Sequence, residues 1–350
     1  MGGERLTARV RVLVTGGTGF VGSHSVKALR DAGHAVRLLV RSPGRIAPAL
    51  RPHGLEEPEH VVGDVTDAEA VNRALDGCDA VLHAANVYVL DSRRAAEMLA
   101  VNPRGTELVL RAAHERGLDP IVHVSSTVVF LPSNGRVLTP DAPLGSPPGA
   151  YARSKVAAER VARELQRTGA PVVIVNPGGV LGPRDPHMSD FVRLAYDVLR
   201  GRAPFLPPGS TAVVDVRDVA AVHAAVLEPG RGPRRYLASA GNLSLGDFVA
   251  EARRLTGRRL PAVRVPGPLA LASGRAADLM QRALPMRLPL DSEAPWLMID
   301  GARVDASATE RDLGVRFRPP AESLADTYRW LSESALVSRR QAGRLAAAAP

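Results

Sequence analysis

Tyr151 and Lys155 stand four residues apart in the run Tyr-Ala-Arg-Ser-Lys. On a helix that spacing puts both side chains on one face. A phenol with an ordinary pKa of about 10 is a poor base at neutral pH, but a neighbouring ammonium favours the phenolate and lowers that value. The pair therefore suits proton transfer at an alcohol or carbonyl oxygen, and Ser126, about 25 residues upstream, can hold that oxygen beside Tyr151. Composition singles out the lysine as well. Of the 45 basic side chains two are lysines, Lys27 and Lys155, and the other 43 are arginines. Lys27 suits an exposed helix face, whereas Lys155 raises the question of what only a lysine can do.

The second chemical pattern lies near the N-terminus. Val10 to Val14 is a short β run, glycines stand at 16, 17, 19 and 22, and Ser23 to Ala32 can be helical. Gly16 permits the tight turn, Gly19 lets backbone approach a pyrophosphate, and Gly22 lets the helix lie close on the strand. Free N–H groups and the positive helix end would then hold the phosphates. The expected ligand is a dinucleotide touching Gly16, Thr18, Gly19, Phe20, Val21 and Gly22. A second strand, Ala35 to Val40, is followed by Arg41 where an NAD enzyme carries Asp or Glu for the ribose 2′-hydroxyl. A guanidinium suits a 2′-phosphate instead, with Arg45 in support, so NADP is expected over NAD.

These residues need elements to hold them. His60 to Val65 reads as a third strand, with Asp64 and Val65 at the adenine. Asp67 to Leu75 reads as a helix with Asp67 as N-cap. Ala80 to Asn86 is a fourth strand whose Ala84 and Ala85 leave room for a ligand. Ser92 to Arg116 is a long helix that Pro103 could kink. Ile121 to Thr127 is a fifth strand, and Tyr151 to about Gln166 a further helix. Alternating strands and helices imply an α/β, doubly wound parallel sheet, whose ligands bind beyond the carboxyl ends of the strands. Gly16, Arg41, Asp64, Ala84 and Ser126 all fall at such ends.

Composition narrows the alternatives. At 350 residues, 45% hydrophobic and 23% charged, the chain can bury a large core, and no apolar run reaches the length of a membrane span. Met1 to Thr7 lack an apolar signal region, and the one cysteine, Cys78, excludes an internal disulfide and a Cys-rich zinc site, so a cytoplasmic protein without a metal is expected. The net charge of +9 comes from arginines scattered among acids, which argues against nucleic acid.

Taken together, T-G-G-T-G-F-V-G, H-A-A, V-N-x-x-G-T (Val101 to Thr106), V-S-S-T and Y-A-R-S-K resemble the extended short-chain dehydrogenase/reductase, or NAD-dependent epimerase/dehydratase, family over nearly the whole chain. Val-Arg-Ser-Pro after strand two and N-P-x-x-x-x-G-P-R-D are similar to its dihydroflavonol-reductase-like branch. The resemblance implies a Rossmann domain, residues 1–176 rejoined by about 213–228, and a smaller C-terminal α/β substrate domain, 177–212 and 229–333. Residues 334–350 are expected to form a flexible tail. It also implies Tyr151 as general acid/base, Lys155 as its electrostatic partner and ribose ligand, Ser126 as substrate-orienting hydroxyl with Thr127 as fallback, and Pro177 and Val180 at the nicotinamide. The acidic pair of the 4,6-dehydratase branch is replaced by Val128 and Val129, and Phe130 stands where many sugar-nucleotide enzymes carry Tyr. The activity this implies is NADPH-dependent reduction of a small-molecule ketone or aldehyde, or oxidation of the corresponding alcohol, with a homodimer as a compatible assembly. A sugar-nucleotide epimerase is the alternative. An NADP sensor without turnover is the third reading, and it has no need for Ser126, Tyr151 and Lys155 together. The substrate region would be Arg184 to Thr211 and about Gly230 to Leu297, with His187 and Asp190 as contacts and Phe191, Leu194 and Val198 as core. The leucines, alanines and Met280 of residues 269–289 suit ordinary packing in preference to a lid or a helix on a membrane surface.

Overall fold

The computed structural model describes residues 9–87, 95–283 and 293–347. Seven parallel strands form its central sheet: β1 (Arg11–Thr15), β2 (Ala35–Val40), β3 (Glu59–Val62), β4 (Ala80–His83), β5 (Ile121–Val124), β6 (Val172–Pro177) and β7 (Arg234–Ala238). Their order across the sheet is β7-β6-β5-β4-β1-β2-β3, the doubly wound arrangement expected from the alternation of elements. Strands β1, β2, β4, β5 and β6 are short runs rich in Val, Leu and Ile and buried on both faces, as a sheet covered by helices on both sides requires. At the two edges, β3 (Glu-His-Val-Val) and β7 (Arg-Arg-Tyr-Leu-Ala) are more polar and partly exposed.

The flanking helices are α1 (Phe20–Asp31), α2 (Ala68–Leu75), α3 (Ala95–Glu115), α4 (Ala150–Arg167) and α5 (Val216–Ala225). Val12, Val14, Leu38, Leu82, Val122 and Val173 meet α1 and α5 through Val26, Leu29, Val222 and Val226. Alternation sends Leu13, Val81, Ile121 and Ile174 to the other face, where Val71, Leu110 and Leu165 come from α2, α3 and α4. Asp67 caps α2 by accepting from the N–H groups of Glu69 and Ala70, as its position predicts. Helix α3 continues through Pro103.

Several boundaries differ from the sequence reading, among them β3, which stops at Val62 and leaves Asp64 and Val65 beyond its end. Helix α1 starts at Phe20, three residues early, with Gly19 as its N-cap, so the glycine-rich turn and the helix overlap. Strand β4 ends at His83, and β5 ends at Val124 because Ser126 caps a 3-10 turn over Thr127–Phe130. The tail is not loose where it is described. Ser338 caps a helical turn, Arg339–Ala342, and Val337 and Ala342 are buried with Phe248 and Leu331.

Beyond β6 the chain builds a second cluster. Strands Gly179–Leu181, Thr211–Asp215 and Gly241–Leu243 form a small sheet, and Val192, Val198, Phe248, Leu324 and Tyr328 pack beside it. Phe191 and Leu194 pack partly buried against this cluster, as expected of core positions. The segment 269–289 departs from ordinary packing: Leu269, Leu279 and Met280 of helix Gly267–Ala283 are exposed, and residues 284–289 lie outside the described residues. No described helix is long and apolar enough to cross a membrane.

Candidate active site

The glycine-rich turn is shaped by close backbone approach. A Cβ on Gly22 would lie 2.0 Å from the Gly16 carbonyl oxygen, and one on Gly16, whose φ is +74°, would lie 2.7 Å from the Ala84 carbonyl carbon. Only glycine fits at either place, and it lets β1, the start of α1 and the residues after β4 approach backbone to backbone. The Thr15 hydroxyl joins the same ends, accepting from the Ala85 N–H at 3.2 Å and bonding His83 Nδ1 at 2.8 Å. Gly19 supplies no side-chain cap, and no acidic residue stands in the first turn of α1. The N–H groups of Phe20, Val21 and Gly22 thus present the positive helix end to a ligand. Phe20 itself turns its ring into the second cluster with Leu181, and Val21 packs beside Val180.

At the end of β2, Arg41 is 65% exposed and 3.9 Å from an Asp64 carboxylate oxygen, a distance that leaves the guanidinium available. The other Asp64 oxygen accepts from the N–H and hydroxyl of Thr66 at 2.9 and 2.7 Å. Arg45 is exposed on a short turn, Pro43–Arg45. Val65 is pressed against α3, where a Cβ on Gly105 would meet its methyl at 2.8 Å. That contact explains the glycine in V-N-x-x-G-T.

Tyr151 and Lys155 occupy the first two turns of α4, Tyr151 half-buried and Lys155 buried. Lys155 Nζ donates to the Val124 carbonyl oxygen at 3.2 Å, which ties the helix to the carboxyl end of β5 two residues before Ser126. Burial pulls the Lys155 ammonium down from 10.5 to about 8, against the opposing field of the Glu159 carboxylate. By contrast, Lys27 pairs on the surface with Asp31. The two lysines are placed as differently as the composition suggested.

The three hydroxyls ending β5 are not equivalent. Ser125 Oγ donates to the buried Glu159 carboxylate at 2.6 Å, behind the strand end. Among the described residues Ser126 Oγ makes one long contact, accepting from the Val128 N–H at 3.4 Å, which leaves its proton uncommitted there. The Ser126 carbonyl accepts from Asn176 at 3.2 Å, one residue before Pro177 at the end of β6.

Two sets of supports escaped the sequence reading. Asn102 bonds both the N–H and the carbonyl of Val87, at 2.8 and 3.0 Å, and donates to Ser154 Oγ at 3.0 Å. Ser154 in turn donates to the Tyr151 carbonyl at 2.7 Å, so the turn carrying the phenol is braced from α3. The asparagine of V-N-x-x-G-T was the available signal. Glu159, fully buried one turn beyond Lys155, collects Ser125, Asn176 at 2.5 Å and Arg163 at 2.8 Å. It lies four residues past Lys155 on the same helix face. Beneath the lysine, His83 and His123 stack with centroids 5.8 Å apart. Burial, reinforced by the Lys155 charge, brings His83 down to about 3, so it stays neutral at ordinary pH.

His187 makes a polar contact with the glycine-rich turn. Its Nε2 lies 3.1 Å from the Thr18 carbonyl, over the glycine-rich turn, in a loop shaped by Asp185 accepting from the N–H groups of His187 and Ser189. Asp190 opens the following helix, Asp190–Leu199, and is exposed.

Residues 12–238 match the NAD dependent epimerase/dehydratase family. Sterol demethylase protein B of Methylococcus capsulatus is 31% identical over 331 residues, covering 93% of this chain and 99% of that protein. A putative dihydroflavonol 4-reductase of Synechocystis is 30% identical, covering 93% and 95%. The crystal structure of gox2253 superposes with a TM-score of 0.79 at 28% identity, covering 94% of this chain and all of that one.

Proposed function

The chain belongs to the NAD dependent epimerase/dehydratase family of NAD(P)-dependent enzymes, and from that premise we propose that it uses NADPH to reduce a ketone or aldehyde of an apolar small molecule. One observation carries the reading: a buried lysine one helical turn from Tyr151 is anchored to the carbonyl of Val124, two residues before Ser126, whose hydroxyl makes one long contact among the described residues. In this reading residues 1–176, rejoined by 213–228, hold the cofactor, and residues 177–212 and 229–333 hold the substrate.

The glycine-rich turn and the uncapped N–H groups of α1 fit a pyrophosphate, and the exposed Arg41 fits a 2′-phosphate better than a bare ribose. Asp64 and Val65 would border the adenine, Ala84 and Ala85 would lie under the dinucleotide, and Lys155 would hold the ribose, with Pro177 and Val180 at the nicotinamide. When bound, the reduced nicotinamide supplies hydride. The chain supplies the proton. Ser126 donates a hydrogen bond to the carbonyl oxygen, Tyr151 passes its phenolic proton to that oxygen, and the Lys155 ammonium stabilises the phenolate left behind. Just past Ser126 in the chain, Val128, Phe130 and Leu131 belong to an apolar cluster that also takes in the half-buried Leu144, Trp296 and Leu297. Two similar proteins bear names of sterol and flavonol chemistry, which agrees with an apolar substrate.

The test is NADPH consumption, followed by absorbance, with steroid and aromatic ketones and aldehydes beside UDP-glucose and UDP-galactose. Net cofactor oxidation with a carbonyl compound is expected. Interconversion of the sugar nucleotides without net cofactor use would overturn the reading in favour of an epimerase.

A further inference from the structure

We propose that the face built from residues 202–206 and 259–280 docks on an anionic lipid surface. The apolar part is unusual for its exposure. Phe205 and Val263 lie opposite each other in a two-stranded parallel ladder and are 63% and 53% exposed. The ladder continues through the Val265 N–H, which donates to the Leu206 carbonyl at 3.0 Å, and runs straight into helix Gly267–Ala283, seated on Pro208 at Gly267. On that helix Ala270, Gly274 and Ala277 turn inward. Leu269, Ala272, Ala276 and Leu279 recur at spacings of three and four on the outward side, with Met280 beside them. Leu269 is 59%, Leu279 65% and Met280 45% exposed. Amphipathic helices of folded proteins turn their large apolar residues inward; here the inward stripe is small residues and the outward one carries the leucines.

The charges around these side chains favour lipid over protein as the occupant. From residue 252 to 282 there are seven arginines and one acidic residue, Asp278, and from 198 to 214 there are two arginines and no acidic residue. Arg202, Arg259, Arg264 and Arg275 are exposed and form no ion pair among the described residues. Arg217, by comparison, is held by Asp215 and Asp326, and Arg231 by Asp312 and Glu228. Exposed apolar side chains flanked by unmatched arginines are the composition of a surface that inserts shallowly at the headgroup boundary while its cations meet anionic lipid. A second copy of the chain would bring the same arginines against each other. Docking stands apart from the reaction proposed above, because it rests on surface residues that take no part in the proton transfer assigned to Ser126, Tyr151 and Lys155.

The experiment is flotation of the full chain with phosphatidylcholine vesicles and with vesicles of equal parts phosphatidylcholine and phosphatidylglycerol. Binding is expected to the mixed vesicles, falling at least about ten-fold on R264E/R275E and on raising the salt. The variant F205S/L269S/L279S, altered only at exposed positions and checked for fold by circular dichroism, should lose binding at least about ten-fold with its arginines intact. Absence of binding to the mixed vesicles overturns the proposal, as does equal binding to both kinds of vesicle. Sedimentation of the same proteins without lipid completes the test. A dimer that the serine variant dissociates would assign this face to a second copy instead.

Discussion

Replacing Lys155 with Met should stabilise the protein at neutral pH while abolishing turnover. The ammonium is buried, and burial takes its pKa from 10.5 to about 8. At about 1.4 kcal/mol for each tenfold in proton affinity, holding the charged form in the fold costs about 3 kcal/mol. Between pH 8 and 10.5 the unfolded chain binds more protons than the folded one, so stability from this group climbs with pH over that window. It is fully present above 10.5 and is lost as the pH falls through 8. At pH 7 both states carry the proton and the whole penalty is felt. Methionine keeps much of the length without the charge, and loses a hydrogen bond to the Val124 carbonyl worth about 1 kcal/mol. The variant should therefore gain about 2 kcal/mol at pH 7, and the gain should shrink to about zero near pH 10. Urea unfolding of both proteins at the two pH values, without added cofactor, measures it. A variant less stable than the parent at pH 7, or a difference that does not change with pH, would refute the account of a penalised buried ammonium.

Tyr151→Phe keeps the ring and removes the proton. Turnover should fall by about 100-fold or more, while NADPH binding, read by its fluorescence, stays within a few-fold. Loss of binding instead would make Tyr151 structural. Arg41→Asp exchanges a cation for an anion at the end of β2, and the ratio of NADPH to NADH use should move toward NADH by about ten-fold or more. An unchanged ratio would mean that the 2′-phosphate lies elsewhere.

The parallel doubly wound sheet was legible because most of its strands are short Val-, Leu- and Ile-rich runs separated by helical segments, but the seventh, Arg-Arg-Tyr-Leu-Ala at 234–238, carries no such pattern and was missed. The family was legible from the glycine spacing and the Tyr-Lys pair. The ends of elements were less so. Helix α1 begins at Phe20 because the turn itself supplies the cap, a matter of backbone φ and close approach at Gly16 and Gly22 that residue type only hints at. The fifth strand stops at Val124 because Ser126 caps a turn.

His187 looked like a substrate contact from its place in the chain, yet the loop shaped by Asp185 carries it onto Thr18, 169 residues away. The tail looked loose by composition. It folds because the second cluster offers Val337 and Ala342 a place to be buried.

What residue type and spacing determined by themselves was the chemistry on offer: a helix puts positions four apart on one face, and glycines permit a tight phosphate-binding turn. Tertiary structure decided which groups can use it. Ser125 and Ser126 are indistinguishable as letters, but the backbone just beyond β5 sends one hydroxyl to Glu159 and leaves the other with one long contact among the described residues, from the Val128 N–H. Lys27 and Lys155 are equally lysines, yet only burial at the end of β5 removes water from one of them and lowers its proton affinity. Solvent exclusion depends on the neighbours that folding brings in from distant parts of the chain, and no local pattern states who those neighbours will be.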